Sequence, residues 1–201
     1  MIKIIKDIDL YDDIDKYDAI LIGTNIYGYM ANGFQRKVML NYPYVHEKNI
    51  ETKYGDENKL GTILVCEKEN SPVFVLLYIN KCGFRKESKK DYLNYESLEK
   101  CIKIINILYK GMNVACTFIG TSKFDGNGDR DKVMNILSNN TKNINLYIYD
   151  YEQLSRQEEL KKIRNYEVKL KEVDLDAYYD AVRKRKEEAD ERYKNNGHAR
   201  Y

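Results

Sequence analysis

Three apolar runs, YDAILI at 17–22, VFVLLYI at 73–79 and NVACTFIG at 113–120, are too short for core helices and carry almost no polar alternation. Runs of this kind read as interior strands covered on both faces. NLYIYD at 145–150 supplies a late strand, IKII at 2–5 an early one, and an acidic turn, DIDLYDDIDK, separates the early strand from the run at 17–22. GTILVC at 61–66 reads as a further strand, and the short EKENSP segment makes it an antiparallel neighbour of 73–79. Helical spacing appears between the strands. Phe34, Val38 and Met39 turn inward on a helix from about Ala31 to Asn41, with Pro43 marking its end region. Leu98, Cys101 or Ile102, Ile105 and Leu108 form a second stripe, ended by Gly111. Val133, Ile136 and Leu137 form a third, on a helix over 129–138. Strands alternating with helices predict a three-layer α/β/α domain with a mixed sheet over residues 1–151.

Residues 152–201 differ in character. Ser155 and Glu158 form a capping box for a helix starting at Arg156, and a charged helix over 175–194 has a thin apolar face from Leu175, Tyr179, Val182, Ala189 and Tyr193. The expectation is a charged helical extension, either solvated or open to a protein partner.

With 34 basic and 32 acidic residues the formal charge is +2, which gives no bulk attraction to nucleic acid. No stretch approaches 18 apolar residues, so no membrane span is expected, and a cytoplasmic location is the default. Cys66, Cys82, Cys101 and Cys116 form no close pair, and His46 and His198 are too few to complete a zinc cluster. The cysteines read as small buried residues in a reducing compartment, and no metal or other cofactor is expected.

Two strand-to-helix loops carry the chemistry: NIYGYMANGFQ at 25–35 and GTSKFDGNGDR at 120–130. Glycine lets successive amides turn inward, and a following helix offers unsatisfied N–H groups, so a diphosphate between the two loops is physically reasonable. Tight connections without a ligand have the same composition. No GxxxxGK[ST] is present, GTNIYGYMANG does not match GxGxxG, and there is no G-x-S-x-G elbow.

Taken in order, these segments resemble the macro domain, the ADP-ribose-binding family, and especially its compact branch of ADP-ribose–glutamate hydrolases and ADP-ribose 1″-phosphate phosphatases. KDI at 6–8 resembles the N-terminal G-D-[IL], with Lys6 in place of glycine, and YDAILIGTN at 17–25 resembles the strand ending in asparagine. GYMANGFQRKVMLNYP at 28–43 resembles the first binding loop and its helix. YINK at 78–81, Tyr95 to Leu98, FIGTSKFDGNGDRDKV at 118–133 and NLYIYD follow in the family's order. The second loop departs from the family's G-x-G-C-G-L-x-x by about two residues of extra length.

The resemblance implies a site residue by residue. Asp7 would accept from the adenine amino group, with Ile8 beside the ring, and Asn25 would face the distal ribose. Gly28, Ala31, Asn32, Gly33 and Phe34 belong to the loop around the diphosphate and distal ribose, which Gly120, Thr121 and Ser122 would close from the other side. Lys123, a departure from the family's loop, adds a phosphate contact that would favour a charged terminal phosphate or a different adenosine-diphosphate-linked ligand. Lys81 and Asp125 would be catalytic, the lysine attacking or polarising C1″ and the aspartate assisting proton transfer. Asp129 reads as a helix N-cap in preference to an alternative acid. The implied function is recognition, with hydrolysis, of ADP-ribosyl groups or ADP-ribose 1″-phosphate. A binding module without catalysis, and a protein-interaction module with a vestigial pocket, remain the alternatives.

Overall fold

Residues that are apolar at every position can sit only between two covering layers, and the sheet is built accordingly. The computed structural model describes residues 1–30, 33–81, 92–122, 126–150 and Lys184. Six strands form one sheet: β1 (Ile2–Lys6), β2 (Ala19–Asn25), β3 (Ile63–Cys66), β4 (Phe74–Asn80), β5 (Asn113–Thr117) and β6 (Asn145–Asp150). Their order is β1-β6-β5-β2-β4-β3, and only the β3–β4 pair is antiparallel. β2 and β4 are buried along their whole length.

Helices α1 (Gly33–Asn41) and α2 (Pro43–Glu51) cover one face of the sheet, and α3 (Tyr95–Leu108) and α4 (Arg130–Asn140) cover the other. Alternation along the strands feeds two cores. Leu21, Val75 and Leu77 meet Leu98, Ile102 and Val133 on the α3/α4 side, while Ile20, Ile22 and Leu76 meet Val38 and Val45 on the α1/α2 side. Each such side chain contributes about 1.5–3 kcal/mol on burial. A strand apolar on both faces keeps most of that burial after a one-residue slip, so polar residues must fix where it stops. Asn25 and Asn80, buried and opposite each other at the carboxyl ends of β2 and β4, mark that point.

The structure corrects the sequence reading in three places. Pro43 does not merely close α1; it is the first residue of a second helix, α2. The acidic turn contains a 3-10 helix, Leu10–Lys16, capped by Asp9 and holding Leu10 and Ile14 in the core. Leu108 is 57% exposed, because the inward row steps from Ile105 to Tyr109, which packs against the same core.

Other elements lie close to expectation, although β5 stops at Thr117, short of the 113–120 run. α4 starts at Arg130, with Asp129 as its N-cap accepting from the amides of Asp131 and Lys132. Cys66, Cys101 and Cys116 are buried free thiols. Cys82, the Ser155–Glu158 capping box and the 175–194 helix lie outside the described residues. Among the described residues no helix is long and apolar enough to cross a membrane.

Candidate functional site

β2 and β5 are parallel neighbours whose chains leave in opposite directions: β2 leads to α1 on one face, and β5 leads to α4 on the other. The two connecting loops must therefore diverge, leaving a crevice beyond the carboxyl ends of the strands. Because five strands are parallel, the segments after β1, β2, β4 and β5 all emerge at this end. Asp7 and Ile8, the two glycine loops and Lys81 thus share one rim. From β1 to β4 is four strand spacings, about 19 Å, so a ligand touching both Asp7 and Lys81 must be elongated.

The first loop is shaped by Asn25. Its Oδ1 accepts from the amides of Tyr27 and Tyr29 at 3.0 and 3.1 Å, and its Nδ2 donates to the Tyr29 carbonyl at 2.9 Å. The Gly28 amide turns back to the Asn25 carbonyl at 3.3 Å, in a conformation with φ +79° that favours glycine. The amides of 27–29 are thereby committed to the loop itself. What remains to meet an anion is the start of α1, whose first N–H groups have no helical acceptor. Gly33 opens that helix with φ +50° and open space around it. Gln35 ties α1 to the crevice by donating to the Gly23 carbonyl at 2.6 Å, while Phe34 packs against the α1/α2 core. Ala31 and Asn32 lie outside the described residues.

The second loop closes on itself. Gly128 N–H donates to the Gly120 carbonyl at 2.9 Å, Asn127 N–H to the Ser122 carbonyl at 3.0 Å, and Tyr92 N–H to the Gly126 carbonyl at 2.7 Å. At Gly126 glycine is required by close approach of backbone, and at Gly128 a side chain would have to give way. A Cβ on Gly126 would stand 2.4 Å from the Gly120 carbonyl oxygen, and one on Gly128 would stand 2.5 Å from Leu93. The Thr121 hydroxyl donates to the Phe118 carbonyl at 3.1 Å, whereas Ser122 is exposed on the rim. Lys123 and Asp125 lie outside the described residues.

At the β1 end, Asp7 is exposed with φ +60°, and Ile8 is 43% exposed beside it. Turn capping falls instead to Asp9, which accepts from the Tyr11 amide at 3.1 Å and pairs with Lys37 of α1. At the β4 end, Lys81 is exposed, and its Nζ donates to Glu57 Oε2 at 2.7 Å. Glu57 begins a short 3-10 turn, Glu57–Lys59. Within the first loop, the rings of Tyr27 and Tyr29 pack with that of Tyr54, with the Tyr29 and Tyr54 hydroxyls 3.1 Å apart.

Burial pushes the Cys66 thiol up to about 11 and those of Cys101 and Cys116 up to about 12, so none is a thiolate nucleophile near neutral pH. The same cause raises the Tyr78 phenol to about 12, and it donates to Asn49 Oδ1 at 2.8 Å. A hollow bordered by Asp15, Asp18, Asn70 and Pro72 lies at the opposite, amino-terminal end of β2 and β4. No group of three or more His, Cys, Asp or Glu among the described residues is placed to hold a metal ion. Sequence reading missed Glu57, Tyr92 and Leu93. Each reaches the rim only through tertiary contact, and no local motif announces it.

No protein-family model matches the sequence, and no curated protein matches it. Solved structures do. A protein of unknown function from Bacteroides thetaiotaomicron superposes with TM-score 0.61 at 21% identity, covering 75% of this chain and 98% of that one. The macrodomain of Mycobacterium tuberculosis DarG gives 0.55 at 17% identity, covering 74% and 97%. Thermosipho africanus DarTG, solved in complex with ADP-ribose, gives 0.52 at 16% identity, covering 72% of this chain and 41% of its own. Identities this low speak to fold alone. The chain has the mixed, three-layer α/β fold of macrodomains.

Proposed function

We propose that the crevice binds ADP-ribose or an ADP-ribosyl group, and that Lys81 and Asp125 hydrolyse the bond at its distal ribose, whether an ester or a 1″-phosphate. One observation carries this reading. Two glycine loops diverge around a switch point, with an exposed carboxylate and apolar residue at one end of a long rim and a lysine at the other. A structure of the same fold, Thermosipho africanus DarTG, holds ADP-ribose.

In this arrangement Asp7 accepts from the adenine amino group and Ile8 covers the ring. The first turn of α1, opened by Gly33 and preceded by Gly28, Ala31 and Asn32, meets the diphosphate. Gly120, Thr121 and Ser122 close from the far side, and Lys123 adds a cation. Asn25 acts mainly by holding the loop, and its remaining amide hydrogen is what it can offer a ribose. The Lys81 amine attacks C1″, and the carboxylate or phosphate leaves C1″ as the ribose opens to a lysine adduct. Asp125 carries the proton from the amine to the departing oxygen, and water then releases the lysine to give ADP-ribose. As an ammonium, Lys81 instead polarises C1″ for direct attack by water.

Calorimetric titration with ADP-ribose tests the binding half, with micromolar one-to-one affinity the expected result. Lys81→Ala should lower turnover at least about 100-fold while changing affinity less than about threefold. Unchanged turnover would remove lysine chemistry. The Lys81–Glu57 ion pair favours a second reading, binding without hydrolysis, because the ammonium already has a partner. Stoichiometric binding with no product from ester or phosphate substrates would establish it.

A further inference from the structure

We infer that Glu57 decides the charge accepted at the Lys81 end of the crevice, selecting ADP-ribosyl groups with an uncharged substituent on the distal ribose over those ending in phosphate. The inference rests on the ADP-ribose reading above and goes beyond it by choosing between two substrate classes.

Glu57 is held in place by backbone on both sides of the site. The Gly55 amide donates to the Ile26 carbonyl at 3.0 Å, tying the turn to the first loop. The Gly61 amide donates to the Tyr78 carbonyl at 2.9 Å, tying it to β4. Within the turn, Leu60 N–H donates to the Glu57 carbonyl at 3.0 Å, and Asp56 caps it through the Asn58 amide, also at 3.0 Å. Lys59 fastens the underside, its Nζ bonding Thr52 Oγ1 at 3.0 Å and lying 4.9 Å over the Tyr78 ring. Lys81 follows Asn80, which stands opposite Asn25 where the first loop begins. The carboxylate and the ammonium therefore both stand at the mouth of that loop, in a solvent-exposed ion pair of 2.7 Å that balances the Lys81 charge.

An uncharged distal group can approach without disturbing this pair, and its hydroxyls can bond to either ion. A terminal phosphate brings about two negative charges. It must either take Lys81 from Glu57, leaving a bare carboxylate beside it, or sit against the pair. With the carboxylate about 6 Å away in a water-like dielectric, the repulsion weakens binding by about tenfold before salt screening.

The test uses the full chain and two probes, ADP-ribose and ADP-ribose 1″-phosphate, titrated at low salt against wild type and Glu57→Gln. Wild type should bind ADP-ribose at least as tightly as the 1″-phosphate. Glu57→Gln should tighten the 1″-phosphate about three- to tenfold, leave ADP-ribose within about twofold, and lose most of the difference in high salt. Glu57→Lys should move the ratio further the same way. A ratio that neither substitution moves, or a wild-type preference for the phosphate of the kind Lys123 would supply, overturns the inference while leaving ADP-ribose binding intact. Failure of wild type to bind either probe overturns the reading of the crevice, and this inference with it.

Discussion

Glycines in the two loops have different reasons to be there, and substitution separates them. Alanine at Gly126 places a methyl group 2.4 Å from a backbone oxygen, so one side of the second loop must move. Gly126→Ala should cost about 1–3 kcal/mol in urea unfolding and weaken ADP-ribose binding as well. Gly33→Ala meets nothing within 4 Å and is opposed only by its φ of +50°, so its cost should stay near 1 kcal/mol. Equal losses from the two would contradict the close-approach account. Asp13 gives a prediction in pH. Its carboxyl is held below its ordinary value of 3.8, first by hydrogen bonding to Lys16 and then by the Tyr149 hydroxyl. A carboxyl lowered on folding stabilises the protein above its unfolded value, and that stability is lost as pH falls through the folded one. The urea midpoint of Asp13→Asn should therefore lie below wild type at pH 7 and converge on it as the pH falls below the ordinary value of 3.8. A constant gap would show the pair to be electrostatically silent.

Elements were legible in the sequence where burial and apolarity coincide, and obscure where a buried residue is polar. β2, β4 and β6 show their apolar runs directly. α2 does not, because its inward face is Tyr44, Val45 and Asn49, and the Asn49 carboxamide is buried against the Tyr78 hydroxyl. A polar residue on the inward face breaks the apolar period that marks a helix, and Pro43 then reads as a terminator when it is a starter. The loops of the crevice were legible as glycine-rich strand exits. Their inner bonding was not, since Asn25 spends its amide on its own loop and the second loop leans on Leu93, about thirty residues earlier. Asp129 shows how an element test settles a residue's role. Its carboxylate caps α4 through two amides, so Asp129→Ala should lose about 1 kcal/mol of stability. Asp129→Asn should keep both the cap and turnover. A large loss of turnover in Asp129→Asn at unchanged stability would make Asp129 the acid in place of Asp125.

Among the described residues, both cores draw on elements before residue 151, which cover the two faces of the sheet. A chain ending at residue 151 should therefore unfold in one cooperative transition and keep its ADP-ribose affinity within about threefold. Broad, non-cooperative melting of that fragment would show that residues 152–201 complete the core. The pairing of β1 with β6 has a consequence for synthesis. Among the described strands β1 is made before the others, yet its neighbour in the sheet is made after them, with Ile2 opposite Leu146 and the Met1 ammonium donating to the Ile144 carbonyl at 2.9 Å. At about 5–20 residues per second on the ribosome, IKIIK waits roughly 7 to 28 seconds before its partner exists. During that interval it is an unpaired apolar segment beside the growing chain, and Lys3 and Lys6 are the charges that discourage it from pairing with another nascent copy.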